Sequence, residues 1–200
     1  MTEYQFTKDW FNWAPEVWTQ LIPMLPARKK FLEIGSFEGR STVWTVENMM
    51  EDDGEIYCID TWEGGEEHSA EDMAAVEARF HYNRLALMGR FKRRHITTSK
   101  GTSTEKLAEW LTPSAVHPEV FDFIYIDGSH IAKDVLTDAC MAWPLLKPKG
   151  IMVFDDYMWG NPRDILHRPK PAIDAFTNIF AEEVDIVHVG YQLIVRKKGE

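Results

Sequence analysis

The stretch Phe121-Asp122-Phe123-Ile124-Tyr125-Ile126-Asp127-Gly128-Ser129-His130, followed by Gly150-Ile151-Met152-Val153-Phe154-Asp155-Asp156, decides the reading of this chain. Each half is an apolar, β-rich run that ends abruptly in carboxylate, and Asp155 lies 28 residues after Asp127. Between them Ala132 to Leu146 has helical periodicity and Lys147-Pro148-Lys149-Gly150 reads as a turn, giving strand, helix, strand. A right-handed crossover of that length makes the two strands parallel neighbours, ~4.8 Å apart. Asp127 and Asp155 are then expected at the carboxyl edge of the sheet, where open α/β sheets bind ligands. With Asp156 they form a group of acids that needs raised pKa values or a cation between them. A hard divalent metal is the simplest answer.

The same alternation extends outward. Lys30-Phe31-Leu32-Glu33-Ile34 is a first strand, Arg40 to Met50 a helix, Glu51 to Gly54 a turn, and Ile56-Tyr57-Cys58-Ile59-Asp60 a second strand ending in an acid. Residues 61–91 are the least regular: Glu63-Gly64-Gly65-Glu66-Glu67-His68 is acidic and glycine-bearing, whereas Met73 to Met88 has helical spacing. His95 to Thr98 is a short third strand, Thr104 to Leu111 a helix, and Ala172 to Phe180 another. Val184 to Val189 and Tyr191 to Val195 alternate around Gly190 as a closing hairpin. The pattern predicts an α/β fold: a doubly wound, mostly parallel seven-stranded Rossmann-like sheet with a C-terminal antiparallel hairpin. No repeat or linker divides the chain, so residues 1–200 read as one domain with an α/β core over 30–200. Residues 1–29 carry Trp10, Phe11, Trp13, Val17, Trp18, Leu21 and Ile22 at roughly helical spacing before Pro23 and Pro26. They read as a helical cap of one or two short amphipathic helices. Its exposed aromatics, Trp10, Trp13 and Trp18, are suited to cover the active site or a partner subunit, which leaves a homo-oligomer open.

Two hundred residues at 44% hydrophobic support a substantial core, and a net charge of −10 argues against nucleic acid as the partner. Arg28-Lys29-Lys30 and Lys92-Arg93-Arg94 are short, each precedes a strand-like run, and both read as solvated strand entries. Cys58 and Cys140 look like small buried hydrophobes, in keeping with a reducing compartment. No apolar stretch reaches ~18 residues and the N-terminus has no signal-peptide core, so a soluble, cytoplasmic protein without membrane contact is expected.

Glu33-x-Gly35-x-x-x-Gly39 sits where a strand turns into a helix. Glycine there lets a ligand approach the backbone, and the free N–H groups of the next helix attract carboxylate or phosphate. Phe37 stands where a dinucleotide fingerprint has its middle glycine, which weakens a nicotinamide reading. Asp60 follows Gly35 by 25 residues at the second strand end, where an acid can accept both ribose hydroxyls. The pairing points to an adenosine-containing cofactor; the duller alternative is a tight turn beside a solvated acid.

FLEIGSFEGRST, YCIDTW, FDFIYIDGSH and GIMVFDDY, in that order and spacing, resemble class I S-adenosylmethionine-dependent methyltransferases over residues ~30 to 196, nearly the whole chain. The closest resemblance is to the metal-dependent O-methyltransferases, catechol O-methyltransferase-like enzymes and the macrolide-sugar O-methyltransferases with their D-G-S-H motif. The resemblance implies that Glu33 and Gly35, with Ser36, Gly39 and Ser41, line the amino-acid end of S-adenosylmethionine. It places Asp60 on the ribose, Thr61 and Trp62 near the adenosine, and Thr102 and Ser103 at the adenine. Asp127, Asp155 and Asp156 match the metal ligands for Mg²⁺ or Mn²⁺, with Asp127 also bordering the cofactor. His130 falls in the place of the general base; the catechol-type enzymes have a lysine there, so the chain resembles the sugar-directed branch more closely.

The expected reaction is methyl transfer to a hydroxyl of a small acceptor, a sugar or diol before a catechol. A divalent cation lowers a hydroxyl's pKa, oxygen-only ligands favour Mg²⁺ or Mn²⁺ over zinc, and a histidine can take the proton near neutral pH. Each piece has a plainer reading: Asp127 as a helix cap, Asp155-Asp156 as a turn binding backbone amides, His130 as a surface histidine at a helix start. His68, His81, His95, His117, His167 and His188 have no partner visible in sequence. Tyr157 and Trp159, after the second acidic strand, are read equally as stacking platforms for an acceptor ring or as hydrophobic plugs. Competing functions are a dinucleotide-dependent oxidoreductase, a metal-assisted hydrolase and a non-catalytic module that kept the cofactor fold.

Overall fold

The sheet runs β3-β2-β1-β4-β5-β7-β6 in the computed structural model, which describes residues 3–65, 68, 70–112 and 120–199. Glu66 and Glu67 of the acidic loop, and His117, lie outside the described residues. The strands are β1 Lys30–Ile34, β2 Glu55–Asp60, β3 His95–Lys100, β4 Phe121–Ile126, β5 Leu146–Phe154, β6 Val184–Val189 and β7 Leu193–Lys197. The first five pair in parallel and the last two close the sheet antiparallel, as the sequence pattern predicts. Strand order reverses between β1 and β4, so Gly35 and Asp127, one residue beyond their ends, meet at the topological switch point.

Helices α1 (Ala14–Leu21), α2 (Arg40–Trp44) and α3 (Met73–Arg90) bury Trp18, Val46 and Phe80 against one face; a π-helical turn, Thr45–Met49, continues α2. Helices α4 (Ser103–Trp110), α5 (Ala132–Ala142) and α6 (Lys170–Ile179) pack Leu107, Val135, Ala139 and Phe176 against the other. Both faces of β4 are therefore covered, and all six of its residues are buried, which is why it reads as a continuous apolar run. No helix among the described residues is long and apolar enough to cross a membrane.

Five local expectations need correction. Pro144 lacks an amide hydrogen, so α5 ends at Ala142 with a single 3₁₀ turn, Trp143–Leu145, instead of running to Leu146. Lys147–Gly150 is not a turn but the entry of β5: Leu146 pairs with Phe121 and Ile151 with Phe123, the extra residues forming a bulge in which Lys149 has φ 65°. In the N-terminal segment, helix α1 starts only at Ala14, with Pro15 in its first turn, leaving Trp10 and Trp13 ahead of it. Trp18 is fully buried with its indole N–H donating to Gln192 Oε1 at 2.8 Å, so it belongs to the core and not to an exposed surface. Cys58 is buried as expected; Cys140, on the outer side of α5, is exposed. The two basic clusters pair with acids of neighbouring turns, Arg28 with Glu51, Lys30 with Glu55 and Arg93 with Asp53.

Candidate active site

Period-two alternation sends Tyr125 and Asp127 to the same side of β4, and β5 brings Asp155 alongside, its amide donating to the Ile126 carbonyl at 3.0 Å. The Tyr125 hydroxyl sits between the two acids: it donates to Asp127 Oδ2 at 3.0 Å and makes a short hydrogen bond to Asp155 Oδ2. Asp156 is turned the other way by a left-handed backbone, φ 55°. Its Oδ2 lies 2.6 Å from His130 Nε2 and its Oδ1 accepts from the Tyr191 hydroxyl at 2.8 Å. The predicted trio and histidine are thus assembled, with two tyrosines that sequence reasoning missed.

The electrostatics are those of crowded like charges. Burial, then Asp155 and Asp156, push the Asp127 carboxyl well above the carboxylate range. Burial, then Asp156, raise Asp155 to about 6. Burial and the two acids likewise push the Tyr125 phenol well up, so it stays a proton donor to them. Asp127 does not cap α5: the residue before that helix is Ile131, whose amide is taken by Ser129 Oγ at 3.1 Å. Capping therefore does not explain Asp127, whereas Asp155 Oδ1 does accept the Asp156 amide at 2.8 Å, as the plainer reading of that turn has it.

At β1 the glycine turn has a steric cause. Gly35 has φ 84°, and a Cβ built on it would lie 2.0 Å from the Asp127 carbonyl oxygen, so only glycine lets β1 and β4 close at the switch point. Asp60 secures this turn: its Oδ2 accepts from Ser36 N at 2.8 Å and Phe37 N at 2.9 Å, and its Oδ1 from Trp62 N at 2.7 Å. Four acceptor positions less three leaves room for a ligand hydroxyl on the same carboxylate. Three residues with side chains have left-handed φ at strand ends around the cleft: Phe37 at 47°, Trp62 at 48° and Asp156 at 55°. Such strain gathers where a site overrides local preference.

Two cavities meet over the ends of β1, β2 and β4, sharing Gly35, Asp60, Thr61, Gly128 and His130. The larger, about 560 Å³, holds Ser36, Ser41, Asp127, Asp155 and Asp156, and its walls are aromatic: Trp10, Trp13, Phe37, Tyr125, Trp159 and Tyr191. Trp159 packs on His130 with ring centroids 4.1 Å apart, whereas Tyr157 is buried and bonded to Asp174 at 2.7 Å. The two aromatics that the sequence could not separate therefore divide, one a cavity wall and one a plug. Phe37 stacks on His68 at 5.1 Å and Trp10 at 5.1 Å, joining the N-terminal segment to the loop after β2. That segment is fastened by buried Glu38, which accepts from Thr7 N at 2.6 Å and from Arg79 Nε at 2.5 Å.

The second cavity, about 450 Å³, contains Thr102 and Ser103 at the start of α4. Thr102 also caps that helix, its hydroxyl accepting from Glu105 N at 3.3 Å. Three expected cofactor residues line neither cavity. Glu33 is 1% exposed beneath the turn, where Thr42 Oγ1 donates to it at 2.5 Å and burial raises it to about 7. Gly39, φ 78°, lies against the Phe80 ring. The left-handed turn at Trp62 folds its indole back onto Phe80 at 4.9 Å, with Nε1 donating to the Phe37 carbonyl at 3.0 Å. These three support the turn from below.

A protein-family model described as a methyltransferase domain matches residues 32–157. No curated protein matches the chain in sequence. Among solved structures the O-methyltransferase TomG from Streptomyces achromogenes, involved in tomaymycin synthesis and in complex with SAM, is 18% identical, with TM-score 0.67 over 93% of this chain and 80% of that one. An O-methyltransferase from Bacillus cereus in complex with SAH is 20% identical, with TM-score 0.62 over 96% and 84%. The methyltransferase MycE of the mycinamycin biosynthetic pathway, in complex with Mg, SAH and mycinamycin VI, is 17% identical with TM-score 0.60; 98% of this chain matches 51% of that one, about half its length. At these identities the likeness is one of fold.

Proposed function

The chain belongs to a methyltransferase-domain family, S-adenosylmethionine-dependent enzymes, and from that premise we propose that it methylates a hydroxyl of a small acceptor with the help of a divalent metal. The observation that carries this reading is the cluster of Asp127, Asp155 and Asp156 at the switch point, beside His130, in a cavity continuous with the Gly35–Asp60 turn. A sugar or diol is the favoured acceptor, since two adjacent hydroxyls suit an oxygen-seeking cation better than one.

The carboxylates fit such a cation by chemistry: they are hard oxygen donors whose burial, and then whose proximity, raises the pKa values of Asp127 and Asp155. Among the described residues no group of three or more His, Cys, Asp or Glu is placed to hold a metal ion, and Tyr125, His130 and Tyr191 hydrogen-bond the three carboxylates. Asp127, Asp155 and Asp156 would hold the ion, which supplies Lewis-acid activation of a hydroxyl and a template for its approach. MycE, with Mg in its complex, shares the fold.

The chain's own groups do the rest. Asp60, with one acceptor position left, holds a hydroxyl of the methyl donor beside the glycine turn, and the donor's sulfonium supplies the methyl group. Trp13, Trp159 and Tyr191 wall the acceptor side, excluding water and fixing an incoming ring for in-line attack. His130, held by Asp156 and by the face of Trp159, is the group that receives the acceptor's proton. Phe37 in place of a dinucleotide fingerprint's middle glycine, and an Asp127/Asp155/Asp156 cluster with no role in hydride transfer, leave the oxidoreductase alternative unfavoured. The test is formation of S-adenosylhomocysteine from S-adenosylmethionine with a panel of sugars and diols, in Mg²⁺ and in chelator. Turnover only with Mg²⁺ supports the proposal; equal turnover in chelator refutes the metal's part in it, and absence of donor binding refutes the whole.

A further inference from the structure

Helix α1 reaches the acidic cluster through one polar contact. Its Trp18 is fully buried, packs edge-on to Tyr125 with ring centroids 4.8 Å apart, and donates its indole N–H to Gln192 Oε1 at 2.8 Å. Gln192, just ahead of β7, is fully buried as well. An indole nitrogen can only donate, so the bond fixes which way round the amide sits: Oε1 faces Trp18 and Nε2 faces away from it. Nε2 is buried and has no hydrogen-bond partner among the described residues. Amide N–H groups without an acceptor are costly in a core, and an apolar side chain of similar length would carry no such cost.

The register of the sheet shows what those N–H groups approach. In the antiparallel pair of β5 and β7, Phe154 stands opposite Leu193, so one step further Asp155 stands opposite Gln192. Opposed residues on antiparallel strands project to the same side, with Cβ atoms about 5 Å apart. That side is the one of Val153 and Ile194, where Trp18 and Tyr125 also pack. Gln192 acts on Asp155 as a donor does: burial and Asp156 push that carboxyl up, while Tyr125, the Asp156 amide and Gln192 draw it down. Tyr125 occupies Oδ2 and the Asp156 amide Oδ1, which leaves each oxygen a further acceptor position. We propose that Gln192 is a positioning residue for Asp155: aimed by the Trp18 indole, its amide N–H steadies the rotation of that carboxylate at the cavity. The assignment rests on Asp155 being a metal ligand. It ties to the metal site a helix, α1, none of whose residues lines either cavity.

The probe is Mn²⁺, titrated into the full chain and followed by the electron paramagnetic resonance signal of the free ion, which binding removes. Gln192→Met keeps the length and the burial and removes the N–H groups. It should weaken Mn²⁺ binding by about tenfold, as loss of a group that orients a ligand does. Trp18→Phe leaves Gln192 in place with nothing to aim it, and should weaken Mn²⁺ in the same direction by less. Both variants should keep a cooperative thermal unfolding transition, so the loss is read on folded protein. A purely structural Gln192 would lower the melting temperature and leave Mn²⁺ affinity as in wild type; that result overturns the assignment, and so does loss of the folded state in both variants. Failure of wild type to bind Mn²⁺ at millimolar concentration overturns the metal reading of Asp127, Asp155 and Asp156 and this assignment with it.

Discussion

Glu33 offers a measurable consequence of building this turn over a buried acid. Its carboxyl is 1% exposed and bonded to Thr42 Oγ1, and burial lifts it from 4.5 in an open chain to about 7 in the fold. A folded value above the unfolded one means that the native state holds the proton more tightly. Glu33 therefore favours folding fully below about pH 4.5, loses that effect as pH rises, and has lost it all above about pH 7. At about 1.4 kcal/mol per pH unit the loss is about 3 kcal/mol. Asp127 and Asp155 are raised as well and titrate with the same sign, so the wild-type slope alone does not isolate Glu33. Glu33→Gln does: the amide oxygen keeps the bond from Thr42 and cannot ionise. Urea unfolding of both proteins should give stabilities within about 1 kcal/mol at pH 5. At pH 8 the variant should be the more stable by about 2 to 3 kcal/mol, after allowance for the mispaired amide nitrogen. A wild-type-to-variant difference that is the same at pH 5 and pH 8 refutes the reasoning.

Asp155→Asn should abolish Mg²⁺-dependent turnover while calorimetry finds donor binding nearly intact; equal loss of both would give Asp155 a structural role instead. Gly35→Ala places a methyl group 2.0 Å from the Asp127 carbonyl oxygen at φ 84°. It should cost about 3 kcal/mol or more in thermal unfolding, and a loss under about 1 kcal/mol would contradict the close approach of β1 and β4. Asp122, fully buried at the opposite edge of the sheet, accepts from Lys29 N, Lys30 N and Lys147 Nζ. Asp122→Ala should destabilise the fold by about 3 to 5 kcal/mol without altering donor specificity, and near-neutral denaturant curves would show that these donors find water instead.

The fold was legible because two runs of β-rich sequence end in acid at a spacing that a crossover joins, and two apolar runs flank Gly190 as a hairpin, although its second strand begins at Leu193 and not Tyr191. Legibility stopped where a local signal was overridden by packing. Trp10, Trp13 and Trp18 share one spacing pattern, yet Pro15 starts the helix late, and only Trp18 enters the core, closing on Tyr125 at 4.8 Å. Lys147 to Gly150 has turn composition, but Leu146 is anchored in the sheet and Lys147 reaches Asp122, so the segment is drawn out as strand. The family resemblance put Trp62 near the adenosine; its left-handed backbone, invisible in sequence for a residue that rarely adopts it, sends it inward.

Tyr125 was missed for a different reason, and the signal that would have found it was present. In a strand that is buried on both faces every residue passes as core, and tyrosine is a good strand former. Strand parity, however, puts residues 125 and 127 on one side, so an acid at the carboxyl end of β4 implies that the residue two before it shares its surroundings. A phenol there is not packing alone: a buried hydroxyl needs an acceptor, and the acids at 127 and 155 supply two. The same parity carries to α5 with its own period, where Asp134 and Asp138 are four apart and must share a helix face. Both line the second cavity, and Ser129 serves the first of them. Carboxylates placed by period beside a switch point are thus informative even when no motif contains them, because each must find a donor from the chain, the solvent or a ligand.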